Sequence, residues 1–191
     1  MITQGGWNRA MNVENARFQL QGLISDAKEV ELVMQNAKDS VDGTAYAYDS
    51  AAKAASMFAA SGLKGGEQMT GALRAVAGVA ATVTADYDSI ANIFTTVAGN
   101  GRFMGDQLNQ LSYRGMNAAA SISKYFNDVN SGAVKATDSV TAAIKELTDG
   151  YEIGEADLRD MVSKGAISFE IFSEAMSTTF GDHAKDANKT F

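Results

Sequence analysis

Apolar residues recur along this chain at helical spacing, in short runs that stop at glycines. From Ile90 the sequence reads IANIFTTVAGNGRFMGDQLNQ, and in its first half Ile90, Ile93, Phe94 and Val97 fall on one face. Gly99-Asn100-Gly101 then reads as a helix stop and a turn. Met104, Leu108 and Leu111 restart the period, with Asp106 in the new first turn. A helix, a glycine corner and a second helix are expected here, as the stretch that organises the fold.

The same pattern runs through the rest of the chain. Residues 1–7 read as a polar lead-in, and Asn12 as the cap of a short helix with Val13, Ala16 and Leu20 on one face, weakened at Gly22. Ser25 or Asp26 begins the next helix, with Glu29 placed for a capping box and Val30, Val33, Met34, Ala37 and Val41 inward; Gly43 ends it. Asp49 opens an alanine-rich helix that ends at Gly62, and its small side chains permit close helix approach. After the Gly65-Gly66 turn comes a long helix with Met69, Leu73, Val76, Ala80 and Val83 inward. Arg74 is its only charge after Glu67, so both of its sides are expected to be covered.

Asp86 caps the helix that enters the organising stretch. Beyond Gly115 a helix carries Ala118, Ile122 and Phe126, and 127–132 reads as a loop rich in Asn, Asp, Ser and Gly. A separate helix with Val140, Ile144 and Leu147 stops at Gly150. Glu155 to Lys164 makes a short helix ending at Gly165, and Ser168 caps the last strong helix, on which Phe169, Phe172, Met176 and Phe180 align. That stripe reads as core rather than as a docking face. Trp7 lies outside the periodic helices, as a staple of the lead-in or part of an interface. No stretch alternates with period two for long enough to make a strand. The expected fold class is all-α, a compact bundle of short glycine-punctuated helices.

Composition narrows the picture. The 191 residues make one domain, or one with an insertion, with 46% hydrophobic and 20% charged residues, as in a folded soluble protein. There is no proline, so the 18 glycines must supply the breaks, and no cysteine, so disulfides and thiolate metal sites are excluded. The net charge of −7 comes without a basic stripe to neutralise phosphates, so no nucleic acid binding is expected. No signal peptide is visible. The most apolar run, Ala75 to Ala85, falls well short of the roughly 20 residues that a bilayer requires. The reading is a soluble chain made in a cytoplasm.

Candidate chemistry is sparse. The single histidine, His183, falls in a polar tail, so histidine-based metal motifs are ruled out and an exposed polar role is expected. Asp86-x-Asp88 begins like a calcium loop but continues Ser-Ile-Ala, without the glycine or the distal glutamate, and reads as a helix start. Gly99-Asn100-Gly101-Arg102 has neither dinucleotide-loop nor P-loop spacing and reads as a tight corner, with Arg102 bonding carbonyls at the preceding helix C-terminus. No spacing suggests a nucleophilic triad or paired carboxylates. No catalytic, cofactor-binding or metal-binding residue is assigned.

The stretch IFTTVAGNGRFMGDQLNQLSYRGMNAAA (93–120) resembles the motif block of phage tail tape measure proteins, in their N-terminal tape measure domain. Gly6 to Ala10, Thr44 to Gly62, Ala72 to Ala81, Leu158 to Gly165, Phe180 to Lys185 and Ala187-Asn188 agree in order. The marker residues are Trp7, Gly99, Gly101, Arg102, Gly105, Arg114 and Gly115, as a structural motif. Residues 24–42 and 127–152 fit less well, and 127–152 reads as a helical insertion. The resemblance implies a tail protein of a phage or prophage that sets tail length during assembly, occupies the tail lumen of the virion and leaves at DNA delivery. It implies tail assembly chaperones, the tail tube protein and tail tip proteins as partners, host cytoplasm as the place of assembly, and a homo-oligomer as one possible state. A peptidoglycan-degrading module and a helical docking module of an injection device are the alternatives.

A ruler needs extension. A continuous helix advances ~1.5 Å per residue, whereas a compact domain of this length has a radius of gyration near ~16 Å. Short helices cut by glycines make a poor rod, so a folded module is expected, with the rod outside it. The ending at Asn188-Lys189-Thr190-Phe191, without a helix stop, reads as a fragment of a longer protein.

Overall fold

A computed structural model describes residues 4–189. Among these residues eleven α-helices follow one another: α1 (Gln4–Leu23), α2 (Ala27–Val41), α3 (Tyr48–Ala60), α4 (Glu67–Val83), α5 (Tyr87–Asn100), α6 (Gly105–Tyr113), α7 (Ala118–Ser131), α8 (Asp138–Thr148), α9 (Glu155–Ser163), α10 (Phe169–Phe180) and α11 (His183–Lys189). Among the described residues there is no strand, and a single antiparallel bridge joins Arg102 to Ser168. The chain is all-helical, as the spacing of its apolar residues requires.

The centre of the fold is α4, not the stretch from Ile90. It packs against α2, α3, α5, α10 and α11, and Met69, Leu73, Val76, Val79 and Ala80 are buried. Its low charge is what lets neighbours cover both sides. Gly78 permits the tightest of these approaches: a Cβ there would lie 1.8 Å from the Phe180 carbonyl oxygen at the end of α10. Arg74 reaches out to pair with Asp182, just before α11.

The α2 face is buried as its spacing demands, and Asp26 caps the helix by accepting from the Lys28 amide, 2.9 Å away. Glu29 does not close a capping box. Its Oε1 accepts instead from the Gly65 amide at 2.7 Å, while Asn36 Oδ1 accepts from Gly66 at the same distance. Both side chains are thereby spent on holding the turn that launches α4, a long-range contact invisible to local sequence. In α3, Ala51, Ala52, Ala54 and Ala55 are all buried, so the small residues do give close approach to α1, α2 and α5.

Four further local expectations fail. The lead-in is helical: α1 runs from Gln4, placing Trp7 on a helix and Asn12 inside it, where its amide donates to Asp49. Val13, Ala16 and Leu20 still form the inward face. The loop expected at 127–132 is the last turn of α7, ended by Gly132 at φ +80°. There Val129 is buried, and the polar residues grip the returning chain. Asn127 donates to the Ile153 carbonyl and accepts from the Ile153 amide, both at 2.9 Å, and Asn130 donates to Thr148 Oγ1. The tail at His183 opens α11, whose Ala184 is buried against the bundle. Finally, Met104 does not restart the helical period: it caps α6, and Phe103 before it is the fully buried residue.

Candidate functional site

The corner between α5 and α6 is the most sharply marked piece of the sequence, and its geometry follows from one glycine and one aromatic ring. Gly101 ends α5 at φ +75°, a left-handed conformation that a residue with a Cβ resists. Its amide donates to the Ala98 carbonyl. The chain then runs extended for two residues and is stitched to the segment before α10. Phe103 N donates to Ile167 O at 2.8 Å, and Phe169 N donates to Gly101 O at 3.1 Å. The bridge holds Phe103 inside, stacked on Phe172 with centroids 4.4 Å apart, and Phe172 in turn meets Phe94 at 4.8 Å. The corner therefore clamps α5, α6 and α10 around a three-ring cluster. Its amides at Gly101 and Phe103 are already bonded to protein carbonyls, which leaves no phosphate cradle.

The marker residues divide along this frame. Gly99 and Gly101 close α5, Gly105 is the first residue of α6, and Gly115, at φ +87°, ends the turn after it. Arg114 donates to the Gln110 carbonyl at 3.0 Å, the role expected of Arg102. Arg102 instead lies exposed across Gly165, where an added Cβ would meet its side chain at 3.0 Å. The glycine at 165 clears space for the arginine, so Arg102 turns to α9 rather than back to α5. Trp7 is not part of the corner; it sits on α1, which packs on α2 and α3.

A second junction escaped the sequence. Glu174, half-buried on α10, accepts from the Thr137 amide and the Thr137 hydroxyl, both at 2.7 Å, and from the Tyr125 hydroxyl at 3.3 Å. Beside it Glu170 accepts from Ser139 at 2.6 Å. These two carboxylates pin the start of α8, doing the work of a side-chain cap that Thr137 does not supply. Their one-turn spacing is visible in the sequence; their partners are not. Burial, then the nearby Glu174 charge, pushes the Tyr125 phenol well above its ordinary range. Tyr87 is shifted upward for the same first reason, full burial, with Asp88 adding to it.

The remaining candidates have structural partners. Asp86 caps α5, and hydrogen bonds from Ser89, the backbone amide first, hold its carboxyl below the usual range. Asp88 pairs with Lys53 at 3.2 Å. His183 is exposed, with Nδ1 2.9 Å from Thr82 Oγ1 and its ring edge-on to Phe180. Among the described residues no group of three or more acidic or histidine side chains gathers as a cation site, and no helix is long and apolar enough to cross a membrane.

Fold and corner together define an all-helical packing module, in which the corner's glycines set backbone geometry and its rings pack together. The family model described as tape measure protein matches residues 4–191, and the chain belongs to that family, as the motif block at 93–120 implied. It is thus a structural component of a phage tail, within the virion. Neither the comparison with curated proteins nor that with solved structures gives a match.

Proposed function

We propose that this chain is a folded module of a tape measure protein, acting in tail assembly and length determination from within the tail lumen, and later in genome delivery. Its partners on this reading are the tail assembly chaperones, the tail tube protein and the tip proteins, met first in the host cytoplasm. The observation that carries the proposal is the family match over residues 4–191. The fold refines it. Among the described residues the longest helix, α1, has 20 residues and spans about 30 Å, and α2, α3, α5, α10 and α11 pack around α4. The module therefore adds little length, and the measuring rod lies outside it. In-frame deletion of this segment, followed by electron microscopy of tails, tests the reading. Failed or irregular assembly is expected. Otherwise normal tails, shortened by the helical equivalent of the deleted residues, would contradict it.

We also read 127–152 as an excursion from a single domain. Its entry and exit meet at one point, since Asn127 bonds both backbone groups of Ile153. Closing the chain across that neck with a short linker is expected to leave the α4-centred bundle folded, and loss of its cooperative unfolding would refute the reading.

A further inference from the structure

Between α4 and α10 lies a hollow of about 360 Å³. The face of α10 that borders it carries Glu170, Ser173, Glu174 and Ser177, beside the aromatic stripe that seats the helix. Opposite them α4 supplies Glu67, from its first turn, and Gly71. The hollow is negative and has no counter-charge of its own. Glu67, Glu170 and Glu174 line it and no basic side chain does. Among the described residues none of the three forms an ion pair. Concave, partly enclosed walls of one sign concentrate their field and draw in the opposite charge. A carboxylate takes about four hydrogen bonds. Glu174 accepts from Thr137 twice and from Tyr125 once, and Glu170 from Ser139, so both keep room for a donor.

A second feature points into the same space. Ser173 is only 3% exposed, yet its hydroxyl has no hydrogen-bond partner among the described residues, where buried hydroxyls normally have one. Nor is that oxygen sealed in the core. The fully enclosed unpaired side-chain atoms belong to Arg74, Tyr87, Gln107 and Asn130, whereas Ser173 opens on the hollow. The three carboxylates do not converge as a metal site. Glu170 and Glu174 stand one turn apart on α10, and Glu67 faces them from α4, so the negative charge is spread along the hollow. A single ammonium would leave most of it uncompensated; several ammonium groups on a short methylene chain match it. We propose that the hollow binds a linear polyamine. One ammonium donates to the Ser173 hydroxyl and to the open position on Glu174, and the others reach Glu170 and Glu67.

Calorimetric titration of the full chain with spermidine, at physiological salt, tests the site. Saturable binding at a single site is expected. Glu67→Gln combined with Glu170→Gln should weaken it about tenfold or more, and Ser173→Ala about threefold or more. Both glutamates are exposed and the serine loses only its hydroxyl, so melts without ligand should match the parent. Asp106→Asn, at an exposed acid of α6 outside the hollow, should leave the affinity unchanged. Butylamine, with one ammonium, should bind about tenfold more weakly or worse, and magnesium chloride at matched ionic strength should not compete. Absence of saturable heat would overturn the proposal and leave the hollow to water. An equal loss with Asp106→Asn, or displacement by magnesium, would overturn it in favour of diffuse counter-ion attraction. Indifference to Ser173→Ala, or equal affinity for butylamine, would contradict the assigned contacts and sink it as well. None of these readouts involves the tail, so the site can fail while the tape-measure reading stands.

Discussion

Helices α4 and α1 are of similar length and opposite character. In α4 nine of the 17 residues are buried, beneath five neighbouring helices. In α1 only Ala16 and Leu20 are buried, and four large apolar side chains, Trp7, Met11, Phe18 and Leu23, are exposed. Glycine changes its meaning between them. Gly78 in α4 is required by the Phe180 carbonyl that would occupy the place of its Cβ, while Gly5 and Gly22 in α1 stand in open space. The first glycine is a packing device and the others leave the interior untouched, so the same residue type marks the most and the least constrained parts of the molecule.

Substitutions should scale with that contrast. Gly78→Val has the largest expected effect, because the clash is with backbone; loss of folded protein, or a fall in stability of more than about 3 kcal/mol in denaturant melts, is expected. Phe172→Ala, which empties the ring cluster at the corner, should cost about 3–5 kcal/mol by the same melts. Glu174→Ala removes the acceptor that pins α8 and leaves the Thr137 amide without it. A loss of about 1–3 kcal/mol is expected, with faster hydrogen exchange confined to the start of α8. At the other extreme, Trp7→Ala in the dilute protein should change stability by no more than about 0.5 kcal/mol. A larger cost would mean that Trp7 is seated on the bundle after all.

The buried core also sets an alkaline limit. Tyr87 and Tyr125 have phenols raised above the unfolded value of about 10. Above that pH the unfolded chain releases protons that the folded chain keeps. Stability is therefore fully present below about pH 10 and declines as pH rises further. Tyr87→Phe should flatten the decline, as read from denaturant midpoints across the alkaline range.

Much of this fold was legible because most apolar stripes are local facts. The faces of α2, α4, α5, α7 and α10 follow from spacing, and Asp26, Asp86 and Ser168 follow from capping chemistry. What stayed hidden depends on distant partners. Nothing in 127–132 reveals that Asn127 and Asn130 hold residues of the returning strand of chain, so a polar segment passed for a loop. Glu29 is equally placed for a capping box or for Gly65, and only the tertiary fold chooses. At the corner the glycines were readable, but Phe103 was not, because one buried ring on an extended link has no periodicity. The placement of Arg102 is hidden for a like reason: the room made for it lies at Gly165, in the turn after α9. Residues 4–12 are helical although none of them is buried, so no inward stripe marks that part of α1 in the sequence.

The central claim is that the segment closes around α4 instead of extending, and small-angle scattering of the dilute monomer tests it directly. The account predicts a compact particle with a radius of gyration near ~16 Å. A rod-like profile, with a radius of gyration several times larger, would contradict it.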